Sequence, residues 1–206
     1  IRGFKGNMNL IIVIYELLRI SLIGIQRGVF FKPTGKKLAS FLESLGPIFT
    51  KFGQLLSTRT DILDSETAKD LETLTDSCNP FEVSKFKNII ESELGDSIEN
   101  IFDSFDEKPL AAASLAQVHS AKLKNGDHVV IKVLRPNIEK RVKRNLRLLK
   151  AAAKIFSYLY KESYRLKPNQ VVSDYESTIK KELDLRLEAS NTNLTRKNFL
   201  NSKELY

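Results

Sequence analysis

The stretch Val129-Val130-Ile131-Lys132-Val133 places one lysine among β-favouring apolar residues, just after the turn-forming pair Asn125-Gly126. Residues 115–123 form another β-favouring run before that pair, and two such runs around Asn-Gly are the strongest short-range signal for a β-hairpin. The sequence therefore predicts an antiparallel hairpin with Lys132 on its second strand. An ammonium group there is costly to bury unless an anion meets it. Lys132 thus either binds an anionic partner or reaches water at a strand edge.

A segment of small residues precedes the hairpin and reads Ala111-Ala112-Ala113-Ser114. Small side chains let backbone amides approach phosphate oxygens closely. Alanine keeps most of that access but has less freedom in φ than glycine, so the loop should be stiffer than a glycine-rich one. A packed turn, or the small face of a strand, is the alternative interpretation of this segment.

Glu182, Asp184 and Glu188 lie close together on the last predicted helix, which runs from about residue 171 to residue 199. On a continuous helix Asp184 and Glu188 share a face, whereas Glu182 points about 120° away from Glu188, given roughly 100° per residue. One acid can therefore face Lys132 while another faces a different element. An exposed acidic patch is the ordinary alternative.

The first hundred residues are predicted to be helical, because apolar residues recur at spacings of three and four. Within them, Lys51 and Gln54 are three residues apart and share a helical face, and Gly53 between them permits close approach of another element. Near residue 101 the pattern changes to short β-favouring runs. We therefore predict an α+β fold with a helical extension over residues 1–100 and a small antiparallel sheet with long helices over residues 101–206.

The formal charge of +8 favours acidic partners, which could be nucleic acid, an anionic membrane or a polyphosphate ligand. No aromatic residue interleaves the basic run of residues 135–150, as a base-stacking platform would require, so we expect no nucleic-acid partner. The single cysteine, Cys78, cannot form an intramolecular disulfide, and no Cys/His cluster predicts a metal site. His119 and His128 lie in strand-like sequence and are interpreted as structural.

The first predicted helix contains the apolar run Leu10–Ile14, but Glu16, Arg19 and Arg27 interrupt the apolar character that follows. No stretch reaches the roughly 18 to 20 apolar residues of a membrane-spanning helix. A helix lying on a membrane surface and a helix packed on its own domain both remain open.

Taken together, these motifs resemble the UbiB family of atypical kinases, also called aarF-domain or ABC1-type kinases. The resemblance covers roughly Phe41 to Phe199 and rests on four ordered motifs. They are the KxGQ motif within residues 51–59, the alanine-rich loop within residues 105–119, the lysine strand within residues 123–136, and the ExD motif with its following glutamate within residues 182–189.

The resemblance implies a protein-kinase-like N-lobe and a role for each motif in a nucleotide site. The implied residues are the catalytic pair Lys132 and Glu188, with Lys132 also binding nucleotide phosphates; the nucleotide loop Ala111, Ala112, Ala113 and Ser114; and the regulatory residues Lys51, Gly53, Gln54, Glu182 and Asp184. Among the regulatory residues, the resemblance implies that Lys51 and Gln54 occlude the usual path of a protein substrate and that Glu182 and Asp184 support the occluding helix.

It also implies ATP or ADP with Mg²⁺ as cofactor, and a role in ubiquinone or related prenyl-quinone biosynthesis. The expected partners are the nucleotide, a membrane surface or prenyl-lipid, and quinone-biosynthesis proteins. The expected location is cytoplasmic and peripheral to a bacterial inner membrane, or at the equivalent organelle membrane.

The 206 residues contain neither the catalytic-loop aspartate and asparagine of kinases nor an Asp-Phe-Gly metal ligand. Those groups belong to a C-lobe, which we expect to be absent from this segment and to carry the metal ligands. We therefore expect the segment alone not to transfer phosphate, while the intact protein is an atypical kinase or ATPase. The alternative is a catalytically inert, pseudokinase-like binding module.

Overall fold

The computed structural model describes residues 2–31, 33–160, 163–200 and 202, and for residues 2–13 the backbone alone. Over these residues the chain forms ten helices and one four-stranded antiparallel sheet. The helices are α1 (Arg2–Gln26), α2 (Gly35–Leu45), α3 (Pro47–Ser57), α4 (Ser65–Glu72), α5 (Val83–Leu94), α6 (Ile98–Ile101), α7 (Ile138–Leu159), α8 (Ser163–Leu166), α9 (Pro168–Glu182) and α10 (Leu185–Asn198). The strands are β1 (Phe102–Phe105), β2 (Ala111–Ala112), β3 (Ala116–Leu123) and β4 (His128–Leu134).

The predicted hairpin is present and forms the centre of the sheet. Strands β3 and β4 pair from Ala116↔Leu134 to Lys122↔His128, and Gly126 takes a φ of 95°, which glycine adopts without steric cost. β1 and β2 both pair with β3, β1 near its C-terminal end and β2 near its N-terminal end. The sheet is therefore small and antiparallel, and the predicted α+β class is confirmed.

Two apolar clusters hold the fold together. The larger one joins α2, α3, α4, α7 and α9 around Ile48, Leu71 and Ile179, each at most 1% exposed. The smaller one lies between α5 and the sheet, and it includes Phe86 and Val133. Removing these side chains from water is the main favourable term in folding. Helices α2, α3 and α4 are therefore integral to one core with α7 and α9, whereas α5 and α6 pack on the sheet.

Alternation along β4 decides which way Lys132 points. Val129, Ile131 and Val133 pack against the α5 cluster. Because successive strand residues face opposite sides, Lys132 lies on the other face of the sheet, which is the face turned toward α10.

The prediction of one long helix over residues 171–199 is wrong. α9 ends at Glu182 and α10 begins at Leu185, with Asp184 as the N-cap between them. The Asp184 carboxylate accepts hydrogen bonds from the backbone N–H groups of Arg186 and Leu187, at 3.1 and 3.3 Å. An aspartate that caps in this way starts a new helix, so the angles expected between Glu182 and Glu188 on a single helix do not apply.

Two further helix starts are set by the local chain. The N-cap of α4 is Asp64, and α5 begins only at Val83. Residues 77 and 78 instead pair with the alanine-rich segment, through the bridge Ser77↔Ala113 and the Cys78 N–H to the Ala112 carbonyl at 2.9 Å. This pairing keeps the chain extended before α5.

Helix α1 packs against α2 and α7 with only part of its surface. Ile20 and Ile23 contact the larger core, whereas Ile14, Leu18 and Leu22 are exposed. The side chains of the earlier apolar run, Leu10 to Val13, lie outside the described residues. Within the described residues, no helix is both long enough and apolar enough to cross a membrane.

Candidate functional site

The predicted ion pair between Lys132 and Glu188 is present. Lys132 Nζ lies 2.7 Å from both carboxylate oxygens of Glu188, joining β4 to the first turn of α10. The two side chains are 38% and 49% exposed. An exposed pair of this kind contributes only about 0–1 kcal/mol to stability. The main effect of the pair is therefore to fix the position of the Lys132 side chain between the sheet and α10.

An open cleft of about 1460 Å³ lies beside this pair. Its walls come from α3, the segment after α4, the alanine-rich loop, β4, α9 and α10. The charged or loop residues that line it include Lys51, Asp76, Ala113, Lys132, Glu182 and Glu188. Lys51 and Glu188, which are 137 positions apart in the sequence, thus meet around one space.

The alanine-rich loop is a tight hairpin turn. Ala111 and Ala112 form β2, and the Ala113 N–H donates to the Ala116 carbonyl at 2.9 Å. Ser114 is only 2% exposed, and its Oγ has no hydrogen-bond partner among the described residues. The loop therefore folds down against the sheet, and in this arrangement the Ala113 amide is not free for a phosphate.

Arg135 holds this loop from behind, a role that sequence reasoning missed. Its Nε donates to the Ala113 carbonyl at 2.7 Å and its Nη2 to the Asn79 carbonyl at 2.9 Å, while its guanidinium lies 5.8 Å from the centre of the Phe81 ring. The sequence showed Arg135 only as the first residue of a basic run. No local signal distinguishes it from the solvent-facing arginines that follow.

Lys51 of the KxGQ motif lies between two carboxylates. Its Nζ is 3.1 Å from Glu182 and 3.3 Å from Asp76. Burial lowers the pKa of Lys51, but the charges and hydrogen bonds of Asp76 and Glu182 outweigh that effect and leave the pKa above its ordinary value. Lys51 is therefore fully charged at neutral pH, and Glu182 is its nearest acid, as the sequence predicted. Asp76 was not anticipated.

Gln54 and Gly53 fix the position of α3 against the segment after α4. Gln54 Nε2 donates to the Leu74 carbonyl at 2.9 Å. A Cβ on Gly53 would clash with Leu74 Cδ1 and would lie 2.8 Å from Leu42 Cδ1. Leu42 and Leu74 therefore leave no room for a Cβ at position 53 unless their side chains shift.

Asp184 does not contact Lys51, unlike Glu182. Its carboxylate is occupied as the cap of α10, and it faces a second, smaller groove between α7 and α9. The structure therefore separates the two acids of the ExD motif, with Glu182 holding the KxGQ helix and Asp184 starting the helix that carries Glu188.

Tyr175 anchors the start of α3 to α9, and sequence reasoning did not assign it this contact. Its hydroxyl donates to the Ile48 carbonyl at 2.6 Å and its ring meets Phe52 edge-on, with ring centres 5.2 Å apart. Burial raises the pKa of Tyr175, so the phenol stays protonated and can donate. The periodic pattern indicated only that Tyr175 belongs to the apolar stripe of its helix.

The histidines take no part in the cleft. His119 is fully buried, contacts Gln117 and the Asp106 carbonyl at 2.8 Å, and lies with its ring 4.1 Å from that of Phe86. His128 is exposed at the start of β4. In the part of the chain that is described, no group of three or more His, Cys, Asp or Glu side chains is placed to hold a metal ion.

A small antiparallel sheet with a strand lysine paired to a helix glutamate defines the class: a kinase-like N-lobe, here with an added helical extension. The sequence model of the ABC1 atypical kinase-like domain matches residues 73–206. The chain belongs to this family.

Curated relatives agree with that assignment. The chain is 46% identical over 193 residues to a probable protein kinase UbiB of Shewanella baltica strain OS185, and 47% identical over the same length to that of Shewanella sp. strain W3-18-1. Each alignment covers 93% of this chain and 35% of the relative. The chain therefore spans about a third of the length of the curated relatives it matches.

Proposed function

We propose that the cleft beside Lys132 and Glu188 binds ATP or ADP, and that the chain is the nucleotide-binding lobe of a UbiB-like atypical kinase or ATPase. The observation that carries this proposal is the lysine–glutamate pair at the wall of a cleft that the alanine-rich loop also lines. A paired lysine on a sheet beside a loop of small residues is the arrangement by which kinase N-lobes position nucleotide phosphates.

Four basic side chains, Lys51, Lys132, Lys181 and Arg196, line the cleft against three acids, Asp76, Glu182 and Glu188. This excess of positive charge favours an anionic ligand. Lys132 would contact the phosphates, while Glu188 would hold the lysine in place. Mg²⁺ would accompany the nucleotide and shield its phosphates. Because the described residues form no metal-binding cluster, the part proposed for these residues is limited to binding and orienting the nucleotide.

For the whole protein we propose a supporting role in ubiquinone or prenyl-quinone biosynthesis at a membrane. The relatives are named probable protein kinases UbiB, and that name supports kinase-type chemistry over a catalytically inert binding module. A membrane surface or prenyl-lipid and other quinone-biosynthesis proteins are the proposed partners. The exposed apolar side chains on α1 support contact with a membrane surface.

The nucleotide site is tested by replacing Lys132 with methionine, which keeps the length of the side chain but removes its charge. Titration of the full chain with a fluorescent ATP analogue should give a Kd that is roughly 10-fold or more higher for Lys132→Met, as expected for losing a charge-assisted phosphate contact. Lys132 is half-exposed, so the variant should remain folded.

Lys122→Met is the matched control, because Lys122 lies on the neighbouring strand and pairs with Asp103 away from the cleft. This control should bind the analogue as the unmodified chain does. An equal loss in both variants would mean that the effect is general charge, and an unchanged Kd for Lys132→Met would place the nucleotide elsewhere.

A further inference from the structure

Residues 74–79, here called the linking segment, connect the KxGQ helix to the alanine-rich loop. At one end, the Leu74 carbonyl accepts the hydrogen bond from Gln54 of α3. At the other end, the backbone of Ser77 and Cys78 pairs with Ala113 and Ala112. The segment therefore has one end on the extension and the other on the loop.

Asp76 lies in the middle of this segment and is half-buried at the wall of the cleft. Its Oδ2 meets Lys51, whereas its Oδ1 is buried with no hydrogen-bond partner among the described residues. Ser114 Oγ, across the Ser77↔Ala113 bridge, is in the same situation. Unsatisfied buried oxygens are unfavourable. Lys51 is therefore the side chain that holds the Asp76 carboxylate, whereas backbone pairing and Arg135 hold the rest of the junction.

The alanine-rich loop is also held by Arg135, which contacts the same junction. Arg135 binds the carbonyls of both Ala113 and Asn79, so it clamps the loop and the linking segment together. Two residues, Ser77 and Cys78, separate Asp76 from Asn79, whose carbonyl Arg135 binds. A short stretch of backbone therefore joins Asp76 to the turn in which the Ala113 amide is occupied.

We propose that Asp76 is a positioning residue that couples Lys51 to the alanine-rich loop, so that Lys51 keeps the loop in its closed turn. This inference rests on the proposed nucleotide-binding function and adds a form of regulation to that site. When the Lys51–Asp76 contact is broken, the loop can open and present its amides to phosphate. The contact therefore opposes the binding of a nucleoside triphosphate.

The test is a double-mutant cycle with Asp76→Asn and Lys51→Met, read as the Kd of a fluorescent ATP analogue for the full chain. Asp76→Asn alone should lower the Kd by roughly 5-fold or more, the lower end of typical coupling between sites. In the Lys51→Met background, Asp76→Asn should have little further effect, because the contact is already lost.

Asp76→Glu provides a rescue, since a longer carboxylate can still reach Lys51, and its Kd should approach that of the unmodified chain. Asp103→Asn is the matched control, because it removes an acid of β1 that pairs with Lys122 away from the cleft. Circular dichroism and thermal unfolding establish that each variant is folded. They also expose a purely structural role, which would lower stability without changing the Kd.

The outcomes separate this inference from the proposed function. Binding by the unmodified chain with no change in Asp76→Asn would overturn the coupling alone. An equal effect of Asp76→Asn with and without Lys51 would show that its own negative charge, and not the coupling, acts on the ligand. Absence of binding by the unmodified chain would overturn both proposals.

Discussion

At the residue scale, single side chains hold this molecule together at the places where its motifs meet. Lys51 meets acids from two different segments, and Arg135 joins two backbone carbonyls that lie 34 residues apart. Gly53 also depends on residues from other elements, because Leu42 and Leu74 occupy the volume that a Cβ at position 53 would need. Each contact involves residues that are distant in the sequence.

Gly53→Ala should destabilise the chain, because the added methyl group overlaps two buried leucines from different helices or segments. Overpacking of this kind costs about 1–3 kcal/mol, which exceeds the gain of roughly 0.5–1 kcal/mol from replacing a helical glycine by alanine. The free energy of unfolding in urea measures the difference.

Gly24→Ala is the matched control within α1. The three atoms nearest to its added Cβ all belong to the ring of Phe30, an exposed side chain that can turn away. Gly24→Ala should therefore leave the stability unchanged or raise it slightly. A Gly53→Ala variant as stable as the Gly24→Ala variant would show that the Leu42 and Leu74 contacts relax without cost.

At the element scale, the break between α9 and α10 lets two neighbouring acids do different work. Glu182 ends α9 and holds Lys51, whereas Glu188 lies in the first turn of α10 and holds Lys132. α10 buries none of its residues in the described structure. Its start therefore depends on the Asp184 cap more than on packing.

Asp184→Ala should loosen the first turn of α10, because two backbone N–H groups lose their acceptor. The expected loss is about 0.5–2 kcal/mol of helix stability. Since α10 is exposed, the effect should be local. Hydrogen exchange of the α10 amides should accelerate while the exchange of α9 stays unchanged.

Asp184→Asn retains a capping oxygen and serves as the control for charge. Protection of α10 should be close to that of the unmodified chain in this variant. If Asp184→Asn and Asp184→Ala accelerate exchange equally, the negative charge matters more than the capping geometry.

At the scale of the whole molecule, the helical extension and the sheet both contribute residues to the lining of the cleft. The extension shares its core with α7 and α9, and α1 packs on α2 and α7 while leaving an apolar stripe exposed. The stripe includes Ile14, Leu18, Leu22 and Ile25. These side chains recur at spacings of three and four and so share one face of the helix.

The proposed membrane contact predicts that Leu18→Glu with Leu22→Glu abolishes binding to vesicles of anionic phospholipid. Burial of apolar area drives such contacts, and a charge at the same position prevents it. Co-sedimentation measures the bound fraction. Ser21→Glu with Gln26→Glu adds the same charge at exposed polar positions of α1 and should reduce binding far less. Equal losses in the two double variants would show that binding to the vesicles depends on charge alone and not on the apolar stripe.

The sequence by itself determined the hairpin, the helical extension and the order of the motifs, because these depend on local periodicity and turn chemistry. Asn125-Gly126 specifies its turn without help from other elements, and Lys132 is recognisable on its strand. The resemblance of the four motifs to one family also depends on the sequence alone. The roles proposed for the site residues remain predictions.

Only the tertiary structure decided how those motifs meet. The second acid at Lys51, the clamp made by Arg135 and the pairing of the alanine-rich loop with residues 77 and 78 each depend on contacts between segments 20 or more residues apart. The break between α9 and α10 at Asp184 is also seen only in the tertiary structure. An aspartate that caps a helix and an acid within a helix look alike in a periodic pattern. Periodicity describes one element at a time, whereas these features arise from packing between elements.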